Sequence, residues 1–208
     1  NHIVPAAFIH EDNTCSEIWD KDIVFMKGSK YLLEASSGRG KSTFCSYIVG
    51  YRHDYNGNIL FDGNDVKNLT IEDWTAIRRK EIGYLFQELR LFPELTTIEN
   101  INIKNTLTNC LTADKINEWI NRLGLSDKKN TKVGLMSFGQ QQRVAFIRAL
   151  AQPFDFLILD EPISHLDDDN AQAMGEIIDE LVSQNRAGLI VTSIGKHPNI
   201  DYDKVLKL

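Results

Sequence analysis

The chain has 208 residues, 42% hydrophobic and 25% charged, a balance that supports one sizeable folded domain and excludes global disorder. Lys plus Arg number 23 against 29 Asp plus Glu, a formal net charge of -6, so binding to nucleic acid through a basic surface is not expected. No apolar stretch approaches the roughly 18 residues of a membrane span, and the start Asn1-His2-Ile3-Val4-Pro5 lacks the basic and apolar regions of a secretory signal. Cys15, Cys45 and Cys110 cannot all pair and form no Cys-x-x-Cys, which predicts a cytosolic chain with reduced thiols.

Ile18-Trp19 and Ile23-Val24-Phe25-Met26 read as strand-like runs before the turn Lys27-Gly28-Ser29-Lys30. Tyr31 to Ala35 reads as a strand and Thr43 to Val49 as a helix. Ile59-Leu60-Phe61 is a strand between the turn signals Gly57 and Asp62-Gly63. A helix over 71–80 and a short buried strand over 82–86 follow. From about 97 to 134 the pattern shifts to short helices and solvated loops, which suggests an inserted helical subdomain. A helix from about Gln140 to Ala151, a strand Phe156 to Leu159, a helix from about Asp168 to Gln184 and a strand Ala187 to Thr192 close the chain. Strands alternating with helices of this length predict an α/β fold whose parallel sheet is covered on both faces.

The sharpest local feature is Ala35-Ser36-Ser37-Gly38-Arg39-Gly40-Lys41-Ser42-Thr43, between a strand and a helix. That is the context of a phosphate loop. Glycines let successive backbone N–H groups curl around phosphate oxygens, and the following helix adds its positive end. Ser36, Ser37, Gly38, Arg39, Gly40, Lys41, Ser42 and Thr43 are the nucleotide-binding candidates. Lys41 would reach the terminal phosphates, and the Ser42 hydroxyl would ligate Mg²⁺. Ala35 stands where the motif has its first glycine. Read alone, the segment also matches a Ser/Gly-rich turn that binds nothing.

Phe156-Leu157-Ile158-Leu159-Asp160-Glu161 is an apolar run ending in two carboxylates. Buried parallel strands present such ends to a ligand crevice. Asp160 would sit near Mg²⁺, and Glu161 would polarise an attacking water.

Met136-Ser137-Phe138-Gly139-Gln140, with the helix after it, resembles the signature of ATP-binding cassette ATPases. Nearly the whole chain is similar to that family in its order of motifs: phosphate loop at 35–43, glutamine loop at Gln87, signature at 136–140, acidic strand at 156–161, and aspartate loop at Ser164-His165-Leu166-Asp167. The resemblance implies a P-loop NTPase core with a mainly parallel sheet, an antiparallel β subdomain on the N-terminal side, and a helical subdomain carrying the signature. It implies a single nucleotide-binding domain over 1–208, with core and β subdomain at about 1–86 and 152–208 and the helical part at 88–151. It further implies head-to-tail pairing, as a homodimer or a paired cassette, in which Ser137, Gly139 and Gln140 meet the ATP held by the other subunit. Gln87 would touch Mg²⁺ and the attacking water, so Glu161, Gln87 and Lys41 are the catalytic candidates and Ser42, Gln87 and Asp160 the metal candidates. Family members with a stretch like Leu91 to Asn100 use it to grip a membrane subunit, which an exposed Leu91-Phe92-Pro93 patch would suit.

Besides Ala35, two positions depart from the family's pattern. Phe138 replaces the first glycine of the signature. Ser193 stands where the family has a phosphate-contacting histidine, with His197 four residues on, and slow or partner-dependent hydrolysis is the consequence expected. The aromatic residue that stacks on adenine is left open among Phe8, His10 and Trp19, with the spacing favouring the first two. Asp167-Asp168-Asp169 reads as a loop aspartate followed by a helix start rather than a metal site.

The function implied is the ATP-hydrolysing, energy-coupling subunit of a transporter, peripheral at the inner face of the cell membrane beside separate transmembrane permease subunits. The stretch after Gln87 resembles cassettes of lipoprotein release, macrolide efflux or cell division. An ATP-binding regulatory cassette with weak hydrolysis, or a soluble cassette acting away from transport, are the alternatives.

Overall fold

The computed structural model describes residues 1–8 and 15–208. In chain order the elements are β1 (Val4–Pro5), β2 (Lys30–Glu34), α1 (Lys41–Ile48), β3 (Tyr55–Asn56), β4 (Leu60–Phe61), β5 (Asn64–Asp65), α2 (Ile71–Lys80), β6 (Ile82–Leu85), α3 (Thr97–Thr108), α4 (Ala113–Arg122), α5 (Phe138–Leu150), β7 (Phe156–Asp160), α6 (Asp168–Asn185), β8 (Gly188–Ser193) and β9 (Lys204–Lys207).

The main sheet has the order β6-β7-β8-β2-β9, and every pairing in it is parallel. Leu157, Ile158, Leu159, Leu189, Ile190 and Val191 are buried, because helices cover both faces and apolar runs suit both. One face joins the core around α3, α4, α5 and α6, with Ile101, Trp119, Phe146 and Met174. The other joins α1, α2 and the two small antiparallel ladders, β1–β3 and β4–β5, with Trp19, Phe44, Tyr47 and Trp74.

Helix starts are encoded locally. Thr70 with Asp73, Thr96 with Glu99 and Ser137 with Gln140 form capping boxes at α2, α3 and α5, each satisfying two backbone donors that would otherwise be orphaned. Asp167 accepts from the Asn170 N–H at 2.9 Å and caps α6, while Asp168 and Asp169 fill its first turn, as expected for acidic residues at the positive end.

Several expectations need correction. Ile18-Trp19 and Ile23 to Met26 form no strand: the first lies in a turn and the second finds no ladder partner among the described residues. Tertiary packing overrides their β-propensity, with Trp19 edge-on to Phe44 and Tyr47 at 6.1 and 6.5 Å. Helix α1 starts at Lys41 and α5 at Phe138, each two residues earlier than the periodicity suggests, because Gly40 and Ser137 are the caps. The edge strand β9 was not anticipated; it pairs Val205 with Leu32.

Candidate nucleotide site

The parallel sheet brings the carboxyl ends of β2, β6, β7 and β8 to one edge. There Asp160 pairs with Thr192 and Glu34 with Ser193 in register. The phosphate loop leaves β2, Gln87 follows β6 by two residues, Asp160 ends β7 and Glu161 comes directly after it. This edge is where ligands of open α/β sheets bind.

In the loop, Ser36 to Arg39 are exposed and Gly40, Ser42 and Thr43 half-buried, while Lys41 is buried. Gly40 has φ +93, and a Cβ there would lie 2.7 Å from Phe8 Cε2 and 3.0 Å from Trp19 Cζ2. The position thus needs glycine for both its backbone and its neighbours. Lys41 Nζ donates to the Ala35 and Ser36 carbonyls at 3.0 and 3.1 Å and lies 3.6 Å from Glu161 Oε1. Ser42 Oγ donates to Gln87 Oε1 at 2.9 Å. Thr43 Oγ1 accepts from Arg52 at 3.4 Å.

Asp160 is buried, and its Oδ1 accepts from the Thr192 hydroxyl at 2.5 Å. Burial raises its carboxyl pKa, against the Thr192 and Ser42 hydroxyls and Lys41, which lower it. Its Oδ2 has no hydrogen-bond partner among the described residues. An orphaned buried carboxylate oxygen beside a hydroxyl and an amide carbonyl is an all-oxygen donor set of the kind a hard divalent cation takes, so the residues fit Mg²⁺.

Glu161 has φ +51, a left-handed conformation that costs a non-glycine residue about 1–3 kcal/mol and persists where surroundings fix it. Here its N–H donates to the Thr192 carbonyl and hydroxyl, each at 3.2 Å. Its carbonyl accepts from Gln142 Nε2 at 3.1 Å and Ser164 Oγ at 3.2 Å. Thr192 and Gln142 are the residues that sequence reading missed, whereas Ser164 appears there only as part of the aspartate loop. Nothing in their spacing marks them, because their roles arise from β7–β8 register and from α5 lying under the strand end.

The signature is not joined to the phosphate loop by any hydrogen bond or ion pair among the described residues. Ser137 heads α5, accepting from the Gln140 N–H at 3.3 Å while its own N–H donates to Gln140 Oε1 at 3.0 Å. A Cβ on Gly139 would sit 3.0 Å from the His165 carbonyl, and Phe138 packs edge-on to the His165 ring at 4.5 Å. The signature thus rests on the aspartate loop.

Trp19 is core, at 2% exposure. Phe8 lies on the phosphate loop against Gly40, and His10 falls outside the described residues. Ser193 is 1% exposed, and its hydroxyl donates to the Lys196 carbonyl at 3.0 Å and accepts from the Gly195 N–H at 2.8 Å. His197 turns away, with Nδ1 donating to the Pro198 carbonyl at 3.1 Å and its ring against Tyr202 at 5.5 Å. Of the expected Leu91-Phe92-Pro93 patch, Phe92 is 50% exposed, whereas Leu91 packs on the core.

Among the described residues no helix is long and apolar enough to cross a membrane. Residues 21–164 match the family model described as ABC transporter. The lipoprotein-releasing system ATP-binding protein LolD of Syntrophus aciditrophicus is 30% identical over 191 residues, 89% of this chain and 85% of that protein. The macrolide export ATP-binding/permease protein MacB of Bartonella quintana is 30% identical over 176 residues, 83% of this chain, but the match spans only 27% of that longer protein. The fold matches a dimeric post-hydrolysis state of the ATP-binding cassette MJ0796, bound to ADP and Pi, with a TM-score of 0.75 and 26% identity over 84% of this chain and 78% of that one. The phosphate loop, the acidic strand end and the capped signature helix thus occur here in a chain that belongs to the ABC transporter family, as an ATP-binding cassette of its ATPase class.

Proposed function

We propose that this cassette hydrolyses ATP with Mg²⁺ at the edge formed by Ser36 to Thr43, Gln87, Asp160 and Glu161, and that the cycle drives a permease. The observation that supports it most is the convergence of five groups: Ser42 on Gln87 at 2.9 Å, Lys41 near Glu161 at 3.6 Å, and the unpartnered Asp160 Oδ2 beside them. Loop N–H groups and Lys41 hold the phosphates. Mg²⁺, held by Ser42 with Gln87 and Asp160, supplies charge neutralisation at the phosphate oxygens. Glu161, fixed at both backbone groups, orients the attacking water and accepts its proton. Phe8, against Gly40, flanks the adenine. Ser137, Gly139 and Gln140 serve the nucleotide of a second cassette, paired head to tail.

Hydrolysis is slow in this reading. The Ser193 hydroxyl is committed to its own turn, and His197 faces Tyr202, so neither supplies the positive charge of a histidine at the terminal phosphate. Phe92, exposed on the loop after Gln87, suits docking to a membrane subunit. The test is MgATP turnover of the chain assembled with its permease, with Glu161→Gln as the inactive control. Turnover lost in Glu161→Gln supports the reading; equal turnover in both rejects it.

A further inference from the structure

Arg148, on α5, is a guanidinium at 9% exposure with no ion pair to a carboxylate among the described residues. Its Nη1 donates to the Arg90 carbonyl at 2.7 Å and its Nη2 to the Leu89 carbonyl at 2.6 Å. Burial lowers its pKa, and no acidic neighbour offsets that. Lys104 is close enough for its own pKa to be lowered by Arg148 as well as by burial. A buried cation that leans only on carbonyls is a poor choice for stability alone, since an apolar side chain of like volume avoids the desolvation.

What it grips is unusual. Leu89 and Arg90 have φ +59 and +49, two successive non-glycine residues in the left-handed region, which L side chains occupy only when surroundings fix them. Leu89 is buried, and the Arg90 guanidinium lies 4.0 Å over the Phe86 ring. Between Phe86 and this turn stands Gln87, whose Oε1 accepts from Ser42. The turn's two carbonyls are therefore held by the helix that Ser137 caps.

We infer that Arg148 is a positioning residue for Gln87. It keeps the Leu89–Arg90 turn left-handed so that Gln87 reaches the Ser42 hydroxyl, and it ties that turn to the signature helix. This rests on the reading of Ser42, Gln87 and Asp160 as the Mg²⁺ site.

The test titrates Mg²⁺ against binding of a fluorescent ATP analogue in the full chain, with melting temperature measured in parallel. The variants are Arg148→Met, Arg148→Lys, Gln87→Ala and, as a control for structural damage, Gln152→Leu. Gln152 is buried near the same helix end and holds the Arg78 and Ile82 carbonyls at 3.1 and 2.6 Å, away from the turn. The half-saturating Mg²⁺ concentration rises roughly tenfold in Arg148→Met, the scale at which lost outer support weakens a metal site. Arg148→Lys falls between it and the wild type. Gln152→Leu melts lower with its Mg²⁺ requirement unchanged. Should Arg148→Met not fold, Arg148→Lys carries the comparison alone: a raised Mg²⁺ requirement supports the inference, and an unchanged one overturns it. A shift in Gln87→Ala without one in Arg148→Met overturns this inference alone. No shift in Gln87→Ala overturns the Mg²⁺ reading of Gln87, and the inference with it.

Discussion

Lys41 Nζ stands 3.6 Å from Glu161 Oε1, both side chains buried, at the edge where the phosphate loop meets the end of β7. The ammonium that would meet phosphate opens α1, and the carboxylate that would meet water follows β7, so two separate elements bring them to one edge. Their roles separate by substitution. Glu161→Gln keeps the shape and is expected to retain MgATP binding while turnover falls by roughly 10²–10⁴, the contribution of one general base. Steady-state phosphate release beside equilibrium binding checks it. Loss of both together counts against this assignment of Glu161.

Asp160 makes a pH prediction. Its folded pKa is raised, chiefly by burial, so the folded chain holds that proton more tightly than the unfolded chain does. Stability from this group is therefore present at low pH and is lost as pH rises from the unfolded value of about 3.9 through the folded one. Asp160→Asn removes the loss. In EDTA at pH 7 its melting temperature rises by roughly 2–4 °C, the response of a domain this size to about 1 kcal/mol, and the gain closes below about pH 4. Calorimetry across that range checks it, and the same variant gains no stability from Mg²⁺ with ATP.

Ser193 ends β8 with its hydroxyl bound to Gly195 and Lys196. Ser193→His places a titratable, phosphate-reaching side chain at that strand end. Turnover of the assembled transporter is expected to rise about tenfold, or about 1.4 kcal/mol of barrier. A wild type that is already fast and is unchanged by the substitution contradicts slow hydrolysis.

Phe138 and His165 touch at 4.5 Å, edge-on, across the gap between signature and aspartate loop. Such aromatic pairs contribute about 0.5–1.5 kcal/mol beyond area burial. A double-mutant cycle with Phe138→Ala and His165→Ala is expected to show that coupling in ATP-dependent pairing of two cassettes, measured by light scattering. Additive effects imply that the two side chains act apart.

The candidate site's parts were legible because each is a short chemical phrase: glycines before Lys41-Ser42, an apolar run before Asp160-Glu161, and Met136 to Gln140 through its resemblance to the signature. Helical and apolar patterns likewise marked α2, α6, β7 and β8 near their true bounds. What escaped depends on distant contacts. Thr192 matters through its register with Asp160, and Arg148 reads as one more helix arginine until the Leu89–Arg90 turn is seen against it. Ile23 to Met26 looks like a strand because local composition says nothing of a missing ladder partner. Leu91, expected at the surface with Phe92, turns inward because Asn100 grips the Phe92 backbone at both N–H and carbonyl.

The most direct measurement is equilibrium binding of MgATP to Glu161→Gln and to Lys41→Ala, each as the full chain. The phosphate-loop account predicts saturable binding that needs Mg²⁺ in the first and binding weakened at least tenfold in the second, the equivalent of about 1.4 kcal/mol. Equal affinity in the two variants, or no affinity for MgATP in the first, contradicts it.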